Sequence, residues 1–400
     1  MKVFESTSRC GGWLSSEFVD GNLIEWGPNT LMADSQWLRL ATDLNLAPLF
    51  PAPLSRARYI WKNARRFSVP MGLGSLISSS LISWAAKKSL LMDLISKRKP
   101  PTQDSSISDF CTTYLHSEIL DYLVEPMVRG IFSGNVDELS MEACFPKLWR
   151  GFQKKGSIIR GLLSQKGPRR RMLSFPKGLE EITKALAHEL GASVFLSHSV
   201  EKISFEADQR FKFQTSHGAY AFSDVILASP SMVTAELLRS HLPASSVNFM
   251  LSIPYRRVAV WNCIFKRPEN FVSGFGCLIP RTEKTQTLGS LWSSEIFRER
   301  SRGDQIVASQ FFSGQDIPEN PEVELPLLQK ILGVSEEPLY SKMKIYPKAI
   351  PQFSLGHADS VRRLRENLPS RVHLVGNYLD GVGLTSVFET ADSVTRSISA

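Results

Sequence analysis

Glu5 closes a short run, Lys2-Val3-Phe4, that reads as a buried strand. It is followed by Arg9, the pair Gly11-Gly12, Trp13, and then Glu25-Trp26-Gly27-Pro28. In dinucleotide-binding folds an acid at the end of the second strand binds ribose hydroxyls, about 20 residues after a glycine-rich turn that cradles the pyrophosphate. Paired glycines let backbone approach a ligand closely or take φ > 0. Here the acid is residue 5, so no room is left ahead of it for the turn. The expectation is a chain shortened at its N-terminus, without the first strand and its G-x-G-x-x-G turn. Because that turn neutralises the pyrophosphate, its loss should cost most of the affinity for the nucleotide.

Other catalytic equipment does not show. The seven histidines are scattered, with no pair at metal-ligand spacing, and there is no G-x-S-x-G elbow. Five cysteines (10, 111, 144, 263 and 277) are widely spaced, odd in number and without C-x-x-C, which reads as reduced thiols, with neither a metal site nor a disulfide framework. Hydrolase and metalloenzyme chemistry therefore fall away. A flavin enzyme needs none of this, because the cofactor takes the electrons while the protein holds it against the substrate and excludes water.

The elements that would position such a site follow from periodicity and punctuation. Residues 35–46 read as a helix and residues 58–61 as a strand. Residues 73–152 are helical, with 156–178 loop-like around Arg169-Arg170-Arg171. A helix over 179–190 precedes alternating strands from 194 to 227. Strands over 255–265, 288–293 and 305–312 and a helix near 325–332 come next. A buried strand over 371–376, a loop through 377–383 and a helix over 384–398 end the chain, so a helix N-terminus points at a ligand.

Four hundred residues, 42% hydrophobic and 22% charged, suggest an ordinary globular chain of two or three domains. Of the net charge of +8, residues 50–180 hold 21 Lys+Arg against 10 Asp+Glu. No zinc-finger, helix-turn-helix or base-stacking pattern accompanies that surplus, so nucleic acid is excluded and a membrane surface is favoured. The longest uncharged run, residues 67–86, holds six serines, two glycines and a proline, which is poor material for crossing a bilayer. Apolar residues at three-and-four spacing through 76–95, with Lys87-Lys88 and Lys97-Arg98-Lys99 on other faces, suit an in-plane membrane helix as well as a plain core helix.

Taken together, the motifs resemble the amine-oxidase-like flavoproteins and, within them, the protoporphyrinogen oxidases. Glu5 to Trp13, Glu25 to Pro28 and Gly381-Val-Gly383 are shared widely in that superfamily. Arg129-Gly-Ile-Phe-Ser-Gly-Asn135 with Glu138-Leu-Ser140 and Cys144-Phe-Pro146, Gly274-Phe-Gly276, and Ile350-Pro-Gln-Phe-Ser-Leu-Gly-His357 are narrower. The resemblance implies a mixed α/β chain in three parts. These are an FAD-binding Rossmann-like domain from 1–52, 174–232 and 366–400, a mixed-sheet substrate domain from 53–60 and 233–365, and an α-helical membrane-binding domain over 61–173.

It also implies FAD, held by Glu5 and Val200 at the adenosine end and by Arg9, Gly11, Gly12 and Trp13 along the pyrophosphate. Gly27, Pro28, Asn29 and Thr30 would meet the flavin face, and Asn377, Val382, Gly383 and Leu384 the ribityl and ring end. Arg58 would bind a propionate, and Phe275, Gly276, Leu278, Leu291 and Phe311 would line an apolar slot. No general base or other catalytic side chain is implied. The implied reaction is the six-electron oxidation of protoporphyrinogen IX by O2, with peroxide released, the penultimate step of haem biosynthesis. It would run peripherally on the mitochondrial inner membrane, in a protein that is commonly a homodimer. Another flavin oxidase or desaturase of the superfamily, or a non-catalytic porphyrin- or membrane-binding remnant, stays open at this point.

Overall fold

The computed structural model describes residues 1–164, 167, 169–205, 210–315 and 317–399. Its strands, in chain order, are β1 (Val3–Phe4), β2 (Ser16–Val19), β3 (Asn22–Glu25), β4 (Leu31–Ala33), β5 (Arg58–Lys62), β6 (Arg65–Ser68), β7 (Arg171–Leu173), β8 (Val194–Phe195) and β9 (Val200–Phe205). They continue as β10 (Phe211–Thr215), β11 (Gly218–Phe222), β12 (Val225–Leu227), β13 (Tyr255–Lys266), β14 (Gly276–Leu278), β15 (Thr287–Trp292), β16 (Gln305–Ser313), β17 (Tyr340–Pro351) and β18 (Val372–Leu374).

Seven of these make one mixed sheet, ordered β17–β13–β16–β15–β14–β5–β6. Residues 61–68, expected within the helical region, instead complete β5 and form β6. Asn63 and Ala64 both take positive φ (51° and 58°), the backbone of a tight hairpin turn, which a non-glycine pair does not advertise. One face of the sheet carries Trp261, Cys263, Phe265, Cys277, Trp292, Ile306, Ala308 and Phe312 into a core closed by the helix Leu325–Leu332. The opposite face looks toward the N-terminal strands and the helical region.

The rest of the β-structure is built from short pieces. β1 pairs in parallel with β8, and β12 in parallel with β18. The antiparallel β9–β10–β11 meander packs its Phe213, Tyr220 and Phe222 rings on Phe4 of β1. β4 pairs with β7, so residues 171–173, expected in a loop, form a strand. The helix Ile158–Leu163 also lies within the stretch read as loop, while residues 165, 166 and 168 lie outside the described residues.

In the helical region the stretch 73–95 is two helices, Leu73–Ser78 and Trp84–Ile95. The second is inside out. Its buried positions include Lys87, which donates to Ile77 O (2.8 Å), and Asp93, which accepts from Ser157 Oγ (3.0 Å), Ile158 N (3.2 Å) and Ile159 N (2.9 Å). The carboxylate thereby caps the helix Ile158–Leu163, where it meets the orphan amides and the positive helix end. Lys87 is thus not part of a cationic rim. The exposed side holds Trp84, Leu91, Met92 and Ile95, with Leu162 and Leu163 exposed on the capped helix. Among the described residues no helix is long and apolar enough to cross a membrane.

Candidate active site

Two constellations face each other across the sheet's open side. The first lies in register on the sheet itself. Arg58 pairs with Gly276, Gly276 with Leu291, Leu291 with Ser309 and Ser309 with Asn262. The next row on the same face runs Leu278, Gly289, Phe311 and Val260. Four of the expected substrate residues, scattered over 253 positions of sequence (311 − 58), thus share one face with Gly276 between them. Four strand spacings of about 4.8 Å put Arg58 about 19 Å from Asn262.

Glycine keeps that face shallow. Gly276 and Gly289 both sit at φ +154°, and a Cβ on either would run into the neighbouring strand's backbone, 3.0 Å from Leu291 Cα and Leu278 Cα respectively. Leu278, Leu291 and Phe311 are only half-buried within an otherwise buried sheet, which marks an apolar cleft. The Arg58 guanidinium lies at its end, 4.9 Å from the Phe275 ring centroid. The helix Glu125–Phe132 forms a roof, with Gly130 close against Leu278 and Arg129 Nη1 donating to Ile279 O (3.2 Å).

The second constellation is the N-terminal loop and the start of the last helix. Glu5 Oε1 accepts from Thr7 N (2.7 Å) and Thr7 Oγ1 (2.8 Å), while Glu5 O accepts from His198 N (2.9 Å), two residues before Val200. The two adenosine-end candidates are therefore neighbours. Arg9 folds back into its own loop, donating to Gly12 O (2.5 Å) and Leu14 O (2.9 Å) and pairing with Glu180 (3.4 Å). It shapes the Gly11-Gly12 turn. Trp13 is exposed and sets its ring edge-to-face with Tyr346 at 4.8 Å, and its carbonyl leaves no space for a Cβ at Gly27.

Asn29 is buried, with Pro28 exposed and Thr30 half-buried beside it, and its Oδ1 has no hydrogen-bond partner among the described residues. Thr385 Oγ1 donates to Met32 O (2.8 Å), which draws Gly383 and Leu384 toward Asn29 and Thr30. Val382 packs on the helical core and Leu384 on the N-terminal core, while Asn377 is half-buried. Asn262 Nδ2 donates to Glu25 O (3.1 Å), tying the Arg58-to-Asn262 row to the strand before Gly27.

Two groups that sequence reasoning did not single out hold these parts together. Arg300 is fully buried. It donates to Phe175 O (2.7 Å), Ser174 Oγ and Asn29 O (3.5 Å) and pairs with the equally buried Glu25 (3.3 Å). The other is Asn262. Neither carries a sequence signal: Arg298-Glu299-Arg300 reads as a solvated charge run, and Asn262 is one polar residue in an apolar strand. Burial pushes all five thiols up, Cys111 and Cys277 to about 12, so none is poised as a nucleophile.

Residues 1–398 match the model of the flavin containing amine oxidoreductases. The chain belongs to that family. These are oxidoreductases, and the cofactor is FAD. The chain is 27% identical over 452 residues to the chloroplastic protoporphyrinogen oxidase of Nicotiana tabacum, a match covering 100% of this chain and 82% of that protein. It is 26% identical to the protoporphyrinogen oxidase of Homo sapiens, covering 99% and 92%. Its mixed α/β fold superposes on the crystal structure named "Putative protoporphyrinogen oxidase from Exiguobacterium sp. 255-15" with a TM-score of 0.82 at 23% identity, covering 99% and 92%.

The residues present fit such a cofactor. The buried Asn29 Oδ1 is an acceptor waiting for an N–H. Gly12 and Gly383 have open space where a Cβ would stand, and Gly11 at φ +111° has Thr183 Oγ1 2.8 Å from its Cβ position. Ser386 N and Val387 N bond back to Gly383 O (3.0 and 3.2 Å), so the helix Leu384–Ser399 begins at Gly383, and its positive end, with no acidic residue in its first turn, favours negative charge there.

Proposed function

We propose that this flavin-dependent oxidoreductase removes six electrons from protoporphyrinogen IX in three two-electron rounds. O2 is the acceptor, and protoporphyrin IX and three H2O2 are the products. One observation carries the reading: two adjacent in-register rows, one ending in Arg58, spread Leu278, Leu291 and Phe311 over one glycine-flattened face. A large, flat, apolar macrocycle with propionates asks for that combination of slot and terminal cation.

Arg58 binds one propionate carboxylate and fixes the macrocycle's orientation. Phe311 stacks on a pyrrole ring, and Leu278, Leu291 and Phe275 fill the remaining slot. The roof of Glu125–Phe132 keeps water out. Glu5 and Val200 hold the adenosine end, Gly11, Gly12 and the Arg9-shaped turn the pyrophosphate, and Gly27 to Thr30 with Asn377 and Val382 to Leu384 the ring. Bound FAD supplies the two-electron acceptor for each round. No side chain in the slot has to act as general base.

The same reading places the FAD-binding parts in 1–52, 174–232 and 366–400 and the substrate sheet in 53–60 and 233–365. The helices of 61–173 form a membrane-binding unit. The exposed Trp84, Leu91, Met92, Ile95, Leu162 and Leu163 would dip into the headgroup region, while nearby lysines meet anionic lipid. The surface is that of the mitochondrial inner membrane, and the working unit is a homodimer. Incubating the FAD-supplemented protein with protoporphyrinogen IX tests the catalytic reading. Porphyrin fluorescence growing faster than in a flavin-free control supports it, and equal rates refute it.

A further inference from the structure

The segment 350–357 carries none of the residues assigned above, yet it joins the helical region to the loop after β18. Gln352 Nε2 donates to Phe132 O (2.9 Å), and Phe353 O accepts from Ser140 N (2.8 Å). Ser354 bridges Leu139, and Gly356 N donates to Asp104 Oδ2 (3.1 Å). His357 follows at the start of the helix His357–Glu366 and is buried. Its ring stacks on Phe353 at 4.2 Å and 15°, with Phe249 at 5.4 Å.

His357 Nε2 lies 3.0 Å from Tyr378 O. A carbonyl can only accept, so Nε2 carries the proton. Burial pushes the imidazole down to about 4, so the ring is neutral. Tyr378 in turn is locked at its ring end, which sits in the core beneath β18, with its hydroxyl 3.4 Å from Thr234 Oγ1. The loop that follows it is otherwise tied through Asp380, which accepts from Arg365 Nη1 (3.0 Å).

We infer that His357 is a positioning residue for the cofactor loop: its Nε2–H holds the Tyr378 carbonyl and so sets the path of residues 377–383, which present Asn377, Val382 and Gly383. The inference rests on the reading of that loop given under Proposed function. It also gives the segment 350–357 a task. The segment, bonded to the helical region at Phe132, Ser140 and Asp104, carries the imidazole whose Nε2–H reaches the Tyr378 carbonyl.

The test is amide hydrogen exchange over residues 376–387 in flavin-free protein, followed by FAD titration. His357→Phe keeps the stack and removes the donor, whereas His357→Gln keeps a donor of similar reach. Loss of one net hydrogen bond predicts roughly fivefold faster exchange and roughly fivefold weaker FAD binding in His357→Phe, with His357→Gln close to wild type. Phe353→Leu, which weakens the stack and leaves the donor, should also stay close to wild type. Unchanged exchange in His357→Phe, or equal loosening in His357→Gln or Phe353→Leu, overturns the inference. If the wild type binds no FAD, the cofactor reading of the loop fails, and the exchange rates still decide what His357 does.

Discussion

Arg300 Nη1 lies 3.3 Å from Glu25 Oε1, and both side chains are sealed from solvent. This pair joins the strand entering Gly27 to the segment after β15, and Arg300 also reaches the Asn29 carbonyl. Removing Arg300 leaves the Phe175 and Asn29 carbonyls and Ser174 Oγ without their buried donor, at about 1–3 kcal/mol for each group left unsatisfied. Arg300→Met should therefore unfold at markedly lower denaturant than wild type, measured by chemical denaturation followed by tryptophan fluorescence. Loss of less than about 1 kcal/mol would show that Arg300 is not a keystone.

The same carboxyl gives a signed pH dependence. Burial pushes Glu25 up to about 7, against the pull of Arg300, Ser16 Oγ and Leu179 N–H and with the push of Glu180. The folded state then holds a proton that the unfolded state has released. Stability is fully present below the ordinary value of 4.5 and declines as pH rises through about 7. Denaturation midpoints from pH 4.5 to 7.5 should show this decline in wild type and a flatter line in Glu25→Gln. Parallel lines would contradict the assignment.

Much of this was visible beforehand, and the part that was not has a physical reason. Glu5, the double glycine and the loop before the last helix are marked by glycines at strand and helix ends, where backbone geometry constrains residue choice. The residues proposed for the slot were separately nameable, but their convergence depends on register. Arg58 pairs with Gly276 and Gly276 with Leu291 across strands whose order does not follow the sequence. Buried charges were illegible. Lys87 and Arg300 look like surface cations until their partners, Ile77 O and Glu25, are known. The hairpin of β5 and β6 was hidden because Asn63-Ala64 lacks the glycine that usually announces such a turn.

Arg58 should govern substrate affinity. A charge-assisted hydrogen bond contributes about 1.5–3 kcal/mol, so Arg58→Ala should lower kcat/KM by roughly 10- to 100-fold, mostly through KM. Arg58→Lys should retain part of the affinity. FAD titration of Arg58→Ala should match wild type, since Arg58 lies at the far end of the row. A loss carried entirely by kcat would place the carboxylate elsewhere.

The exposed apolar side of the helix Trp84–Ile95 should decide membrane binding. Trp84 and Ile95 are 69% and 74% exposed, so replacing both with Ser removes little folded-state packing. Each large apolar side chain moved out of water contributes about 1.5–3 kcal/mol. Co-sedimentation of Trp84→Ser/Ile95→Ser with anionic phospholipid vesicles should fall at least about tenfold, with the melting temperature unchanged. Vesicle binding equal to wild type would assign that face to something other than lipid.

Gly151 and Gly161 cross at backbone contact, a Cβ on Gly151 lying 2.8 Å from Gly161 O. No side chain is available to give way. Gly151→Ala should cost about 1–3 kcal/mol, seen as a lower melting temperature. It should leave the FAD affinity of the folded protein as it was. An unchanged melt would mean that the helices Pro146–Lys155 and Ile158–Leu163 can separate freely.

Six-electron oxidation on the Arg58-to-Phe311 face fixes the ratio of its two products. The most direct measurement follows porphyrin and peroxide together while FAD-supplemented protein turns over protoporphyrinogen IX in air. Three H2O2 should form for each protoporphyrin, with both products suppressed in Arg58→Ala at low substrate. Peroxide formed from an amine, with no porphyrin above the uncatalysed background, would contradict it.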